Sequence, residues 1–381
     1  MTLANENIKV KNIICRLLAI LGLKDGDWMT NFTCSTRICT GKGSLDTLKD
    51  CKAKRVLVVT DRYFSQSGKA REIGSLVPQA EVRIFDEVVP DPPAELAAKG
   101  AAICVQFRPE LLIALGGGSA MDCAKGIRAA CEVPMTFAAI PTTSGSGSEV
   151  TSFSILTRDG IKHPLVEEGL RPDLAILDET LLHSLPKALL ADTGMDLLAH
   201  CVEAAAATGR NGFTDALAAH GVMTVLQKLQ PAFEGETAIR GDLLEAACMA
   251  GMAFDNAGLG MCHACAHVLG GVTHLPHGRL CAMLLPHVME VNAAAALSRY
   301  AHLAQICGLG GATERLRLRS LLSAIVRLRK ALELPENLQQ AGVSNPEIRP
   351  LIPAVLADAC CGTNPIPVTG NMVERVLKAV C

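Results

Sequence analysis

Hydrophobic positions change their period about half-way along this chain, and the change predicts two architectures. "RVLVVTD" (55–61) and "LLIALGGGS" (111–119) are continuous apolar runs closed by polar or glycine positions. That is the pattern of strands buried on both faces of a parallel sheet. "EVRIFDEVVP" reads as another strand, closed by Pro90, Pro92 and Pro93, and "MTFAAIPTTSGSGS" and "DLAILD" (173–178) supply two more. Helical stretches, "SGKAREIGSLV" and "PAELAAKGAAICVQF", lie between them. Strands alternating with helices predict a parallel α/β sheet. After Pro186 the composition turns to Ala, Leu, Met and Glu, and "KALLADTGMDLLAHCVEAAAA", "FTDALAAHGVMTVLQKL", "LLEAACMAGMAF" and "RLRLRSLLSAIVRLRKALEL" all read as helices. The expected organisation is an α/β domain over 29–185 and an all-helical domain over 186–381. The basic run "RLRLRSLLSAIVRLRK" alternates charges with core leucines and reads as a solvated helix face.

The first 28 residues stand apart. Val10, Ile13, Ile14, Leu17, Leu18 and Leu21 form an amphipathic stripe, with Lys9, Lys11, Asn12 and Arg16 off it. The apolar run is too short to span a bilayer and no A-x-A cleavage site follows it. Two readings remain open: a helix packed on its own domain (or sequence upstream of a start at Met29), and a docking peptide for a partner's groove. "KDGDWMTN" then reads as a short linker.

Composition narrows the function classes. The chain has 381 residues, 49% hydrophobic, with Lys+Arg 36 against Asp+Glu 38 and net charge −2. No basic excess exists to neutralise phosphates, which argues against nucleic acid as a partner. The 16 cysteines are scattered through apolar runs, as at Cys104, Cys123 and Cys131, rather than set in a disulfide framework. A reducing cytosol, with cysteine as a small buried hydrophobe, fits better. Cys262 and Cys265 form a CxxC, but no second pair completes a zinc ribbon, and helix packing is the expected role.

Two small-residue loops follow strands. Gly116, Gly117, Gly118 and Ser119 precede a helix, and lacking Cβ atoms they let a phosphate approach the backbone at a helix N-terminus. "IPTTSGSGSEVTS" (140–152) adds hydroxyls at Thr142, Thr143, Ser144, Ser146 and Ser148. Such loops at strand C-termini suit a nucleotide. Asp61 ends the first strand, where a carboxylate accepts from ribose hydroxyls and repels a 2′-phosphate, favouring NAD over NADP; the same position also suits a helix cap.

Histidine spacing points to a metal. Asp196 and His200 are four apart on one predicted helix, His263 and His267 repeat that spacing, and His277 sits in a Pro-His-Gly turn. One carboxylate with two or three imidazoles suits Fe²⁺ or Zn²⁺. On spacing alone His274 could replace one of them. His183, His220 and His287 lack such company and read as structural.

In this order, "GGGSAMDCAK", "IPTTSGSGSEVT", "TGMDLLAHCVEA" and "GLGMCHACAHVLGGVTHLPHG" resemble the signatures of the iron-containing (group III) alcohol dehydrogenases, a likeness running from about residue 30 to 381. "GIKHPLVEEGLRPDLAILD" (160–178) and "GTNPIP" (362–367) look closest to the 1-propanol dehydrogenases of propanediol-utilisation microcompartments, with the ethanolamine-utilisation alcohol dehydrogenase next. The resemblance implies a Rossmann-like parallel-sheet domain followed by an all-α helical domain, as in dehydroquinate synthases. It implies metal ligands at Asp196, His200, His263 and His277, with His267 beside the reacting alcohol as a proton relay. It places NAD along Asp61, Gly117, Gly118, Ser119, Thr142, Thr143 and Lys162. Asp91 stands where relatives often have Asn, and Ser144 and Ser146 depart from the commoner TTAGTGSE form. The segment between Lys125 and Pro141 is shorter than in many relatives, which bears on the rim of the nucleotide cleft.

The implied activity is NAD-dependent interconversion of short-chain aldehydes and primary alcohols, the cation acting as a Lewis acid and the nicotinamide carrying the hydride. The aldehyde-reducing direction would regenerate NAD⁺. Phe254 is expected either to wall a short alkyl chain or to pack in the core. The expected setting is a cytoplasmic homodimer away from membranes, inside a bacterial microcompartment if residues 1–28 dock on a shell protein. Two other readings compete. A dehydroquinate synthase-like lyase needs a basic pocket for a phosphorylated acid, and few Arg or Lys lie near these motifs. A non-catalytic microcompartment scaffold component would not need a complete set of metal donors.

Overall fold

A computed structural model of the chain describes residues 31–158 and 161–381, so the amphipathic stripe over 10–21 lies outside the described residues. Residues Thr33–Cys381 form one compact unit. Its first half holds β1 (Arg37–Thr40), β2 (Arg55–Asp61), β3 (Glu81–Val88), β4 (Leu111–Gly116), β5 (Thr136–Pro141), β6 (Phe153–Arg158), β7 (Ile161–Val166) and β8 (Leu174–Leu177). Short helices α1 (Arg62–Gln66) and α2 (Lys69–Gly74), then α3 (Ala94–Phe107) and α4 (Gly118–Ala130), connect the strands.

Six strands form an all-parallel sheet in the order β1-β8-β5-β4-β2-β3. Alternation explains the apolar runs. Val56, Val58, Leu111, Ile113 and Ile140 pack on one face, and Leu57, Val59, Leu112, Ala114 and Ala139 on the other, so the central strands are buried on both faces along their interior positions. β3 and β4 flank β2, and the strand order reverses there. The open crevice of a doubly wound sheet lies outside the carboxyl ends at such a switch point, which here is where Asp61 and the Gly117–Ser119 turn stand.

Three strands were not anticipated. β1 is only four residues long, with polar ends, and joins the sheet edge beside β8. β6 and β7 form a separate antiparallel hairpin pairing Thr157 with Lys162. That hairpin is tied to the proline turn, where the Thr157 N–H donates to the Pro92 carbonyl at 2.9 Å. The short segment 131–135 enters the N-terminal end of β5. It therefore lies at the opposite end of the strands from the glycine loops.

The second half is helical: α5 (Lys187–Ala206), α6 (Gly212–Glu234), α7 (Arg240–Ala257), α8 (Met261–Thr273), α9 (His277–Ile306), α10 (Glu314–Ala331), α11 (Ile348–Ala357) and α12 (Gly370–Val380). α5 is buried almost continuously from Leu190 to Ala206 and packs on α6, α7 and α9. A helix surrounded on all sides carries apolar residues all round, so the polar groups it does bury, Asp192, Asp196, His200 and Glu203, require partners.

Candidate metal centre and nucleotide cleft

Three helices bring the metal candidates together. α5 contributes Asp196 and His200, α8 contributes His263 and His267, and α9 begins with His277 after Pro276. His263 Nε2 and His277 Nε2 lie 3.7 Å and 3.6 Å from Asp196 Oδ1. The His200 ring stacks on His263 at 4.4 Å between centroids and on Phe254 at 4.5 Å. His274 caps α8 in a left-handed conformation and is exposed, away from this group.

Among the described residues, Asp196, His263, His277 and Cys281 form one donor cluster, and His267, Asp358 and Cys360 a second, the ligand atoms of each within 4.8 Å of one another; His200 stacks on His263 beside the first. Cys281 went unnoticed in the sequence although it stands one turn after His277 on α9. Its sulfur is 3.6 Å from His277 Nε2, and burial pushes its thiol well above the usual range.

The residues fit a divalent cation. Asp196 Oδ1, His200 Nδ1 and His263 Nε2 are buried without a hydrogen-bond partner, an arrangement that native interiors avoid. The other nitrogen of His263 is engaged: Nδ1 lies 2.6 Å from Glu203 Oε2, while Glu203 Oε1 accepts from the Cys262 N–H at 2.7 Å. A carboxylate only accepts, so Nδ1 carries the hydrogen and Nε2 can present a lone pair toward the Asp196 oxygen. Two facing lone pairs repel unless a cation lies between them. Donors sharing a tetrahedral cation at ordinary N/O bond lengths would be about 3.4 Å apart, close to the separations seen.

The electrostatics agree. Burial alone would raise the Asp196 carboxyl, but the hydrogen bond and charge of His263 hold it below the usual range. Burial lowers His200 to about 3 and lowers His277 as well, keeping both imidazoles neutral and available as ligands. His263 is the exception. Burial opposes its charge, yet Cys281, Asp196 and Glu203 pull it upward, a field that favours positive charge at this place.

His267 is turned the other way. Its Nδ1 is 2.9 Å from Asp358 Oδ2, and its ring stacks on His277 at 5.2 Å. Burial raises the Asp358 carboxyl, but the hydrogen bond and charge of His267 and the Cys360 amide outweigh it and bring it down to about 2. Asp358 lies 91 residues beyond its partner in a turn after α11, and no local pattern announces it.

The nucleotide candidates gather at the carboxyl ends of β2, β4 and β5. The Thr142 N–H donates to the Gly116 carbonyl at 3.0 Å, joining the two loops. Side chains at Gly117 and Gly118 would crowd Thr143 and Ser146, with Cβ atoms 3.1 Å and 3.2 Å from their nearest atoms. Ser119 follows in the first turn of α4, where backbone N–H groups have no intrahelical acceptor. Asp61 caps α1, its Oδ1 accepting from the Phe64 N–H at 3.1 Å. Lys162 reaches over from β7, largely buried, to pair with Asp91 Oδ1 at 2.7 Å, and Asp91 holds a left-handed backbone.

Residues 35–179 match iron-containing alcohol dehydrogenase and residues 190–381 match the Fe-containing alcohol dehydrogenase family, C-terminal. The 1-propanol dehydrogenase PduQ of Citrobacter freundii is 39% identical, the alignment covering 92% of this chain and 99% of that protein. The NADPH-dependent butanol dehydrogenase of Clostridium saccharobutylicum is 35% identical, with 92% and 98% covered. Among solved structures, the iron-containing alcohol dehydrogenase of Thermococcus thioreducens superposes with a TM-score of 0.85 at 30% identity, covering 92% of this chain and 99% of that one. The sulfoacetaldehyde reductase of Bifidobacterium kashiwanohense, solved in complex with NAD⁺, gives 0.83 at 27% identity, covering 93% and 99%.

Proposed function

Because the chain belongs to the iron-containing alcohol dehydrogenase family and interconverts alcohols and aldehydes, we propose that it acts on short primary alcohols and their aldehydes, propanal/1-propanol or acetaldehyde/ethanol. NAD is the proposed cofactor, and Fe²⁺ or Zn²⁺ the proposed metal at Asp196, His200, His263 and His277. The observation that carries this reading is the set of orphaned donor atoms on Asp196, His200 and His263. When bound, the cation supplies Lewis acidity toward the substrate oxygen.

The chain's own residues do the rest. Glu203 keeps the His263 lone pair turned inward. Phe254, stacked on His200 and 6.2 Å from Phe153 between ring centroids, offers an apolar wall that suits a short alkyl chain. His267 accepts or returns the substrate proton. The Gly117–Ser119 turn and Thr142–Thr143 cradle the pyrophosphate, and Lys162 complements its charge. Asp61 accepts from the ribose.

The likeness to the 1-propanol dehydrogenases also supports a setting: a cytoplasmic homodimer enclosed in a bacterial microcompartment, with residues 1–28 docking on a shell protein. Aldehyde reduction there would regenerate NAD⁺.

The test is the purified protein with Fe²⁺ or Zn²⁺, NADH and propanal, followed at 340 nm. Metal-dependent NADH oxidation with C2–C4 aldehydes is expected, and its absence across the series overturns the substrate assignment. His263→Ala should lose bound metal, whereas His267→Ala should keep metal and lose turnover. Equal metal loss in both would contradict the division of roles.

A further inference from the structure

We propose that Asp358 is a positioning residue that holds His267 in a single tautomer and orientation, and that the cavity beside it leaves this carboxylate replaceable by a small anion. The inference rests on the reading of His267 as the group beside the reacting oxygen.

Asp358 closes α11 and opens the 3₁₀ turn over Ala359–Thr363. Its two oxygens are divided between two tasks. Oδ1 accepts from the Cys360 N–H at 2.9 Å, and Oδ2 lies 2.9 Å from His267 Nδ1. Because the carboxylate accepts only, the hydrogen of a neutral His267 sits on Nδ1 and its Nε2 is left as the acceptor. Stacking on His277 blocks one face of the ring, with the planes 20° apart. Hydrogen bond and stack together leave the imidazole one orientation.

A cap alone would need only one oxygen. The second carboxylate oxygen is spent on a side chain from another helix, and both partners are largely withdrawn from solvent, with side chains 16% and 17% exposed. Asp358 also lines a cavity of about 570 Å³, shared with Leu356, Cys361, Gly362 and Asn364. Among the residues lining that cavity Asp358 is the only charged group. A formate ion entering there would reach the place a truncated Asp358 vacates.

Two variants of the metal-loaded enzyme test this. Asp358→Asn keeps the cap acceptor but can present an amide N–H to Nδ1, reversing the tautomer. It should lower kcat at least about 100-fold, with bound metal, NADH affinity and melting temperature unchanged and little change in KM. Asp358→Ala should fall similarly, and formate should restore its turnover at least 5-fold in a saturable way (order of magnitude), where chloride at equal ionic strength does not. Adding Asp358→Asn to His267→Ala should cost nothing further.

Wild-type turnover in Asp358→Asn overturns the proposal, as does failure of formate to rescue a folded Asp358→Ala or full additivity with His267→Ala. If Asp358→Ala does not fold, the Asn variant and the double-mutant comparison decide. His267→Ala at wild-type rate would instead sink the reading of His267, separating the two failures.

Discussion

Glu203 bears on the proposed metal centre through His263 rather than by facing it. It is 5% exposed and lies seven residues after Asp196 on α5, so one helix supplies a metal-facing carboxylate and the carboxylate that orients a histidine from α8. Outer partners of this kind fix ring orientation and raise ligand basicity. A glutamine there can direct its amide N–H at Nδ1, forcing the His263 hydrogen onto Nε2 and into the site. Glu203→Gln should therefore bind metal about 10–100-fold more weakly, read by competition against a chromophoric chelator. Unchanged affinity would reduce Glu203 to a cap for α8. Asp61 poses the same kind of question, since it demonstrably caps α1 and a related butanol dehydrogenase is NADPH-dependent. Serine caps about as well as aspartate but carries no charge. Asp61→Ser should leave the melting temperature near wild type and shift kcat/KM toward NADPH by at least about tenfold; a ratio that stays put would leave the cap as its whole role.

At the scale of elements, a buried polar network ties α4 to residues 148–153. Lys125 on α4 is fully buried, and its Nζ donates to Ser148 Oγ at 2.8 Å, Thr151 Oγ1 at 3.0 Å and the Phe153 carbonyl at 2.6 Å. Ser148 Oγ donates in turn to Asp122 Oδ1 at 3.2 Å. Burial raises the Asp122 carboxyl to about 6 against the pull of Lys125. A carboxyl whose folded pKa exceeds its unfolded value binds more protons when folded, so its contribution to stability is lost as pH rises from about 4 to about 6. Asp122→Asn should remove that slope. Relative to wild type the variant should gain stability across this window by up to about 3 kcal/mol, measured by urea unfolding at a series of pH values, and parallel curves would refute the assignment. Similar physics decides what could be read from the chain. β2, β4 and β5 announce themselves because both faces are buried, whereas the β6–β7 hairpin mixes Thr, Arg, Lys and His into an alternation with no sustained period. The i, i+4 pairs on α5 and α8 disclose shared faces before any folding is known. Asp358 meets His267 only through tertiary packing, and Cys281 was hidden among many buried cysteines. α9 shows how closely the elements approach: a Cβ on Gly278 would collide with the Asp192 carbonyl on α5. Beside it Arg279 grips the Asp192 carboxylate with two 3.0 Å bonds. His277 is placed by that docking.

At the scale of the whole described unit, buried ion pairing crosses between the sheet half and the helical half. Asp255 on α7 accepts from the Ser152 N–H and Oγ at 2.8 Å, while its other oxygen meets Arg171 at 2.8 Å, with Asp255 1% and Arg171 9% exposed at the side chain. Removing one member of such a buried pair typically costs about 3–5 kcal/mol. Every residue proposed here for metal, nucleotide or proton handling falls between Asp61 and Asp358, inside this unit. Deleting residues 1–28 removes none of them. The truncated protein should therefore keep its bound metal, its melting temperature within a few degrees (~1 kcal/mol or less) and its kcat with propanal. If the amphipathic stripe over 10–21 is a docking peptide, the loss should appear only in cells, as failure to co-purify with a microcompartment shell. Appending residues 1–28 to an unrelated fluorescent protein should confer that co-purification. A truncated enzyme that still partitions with the shell, or a fusion that does not, would remove the docking reading of the stripe.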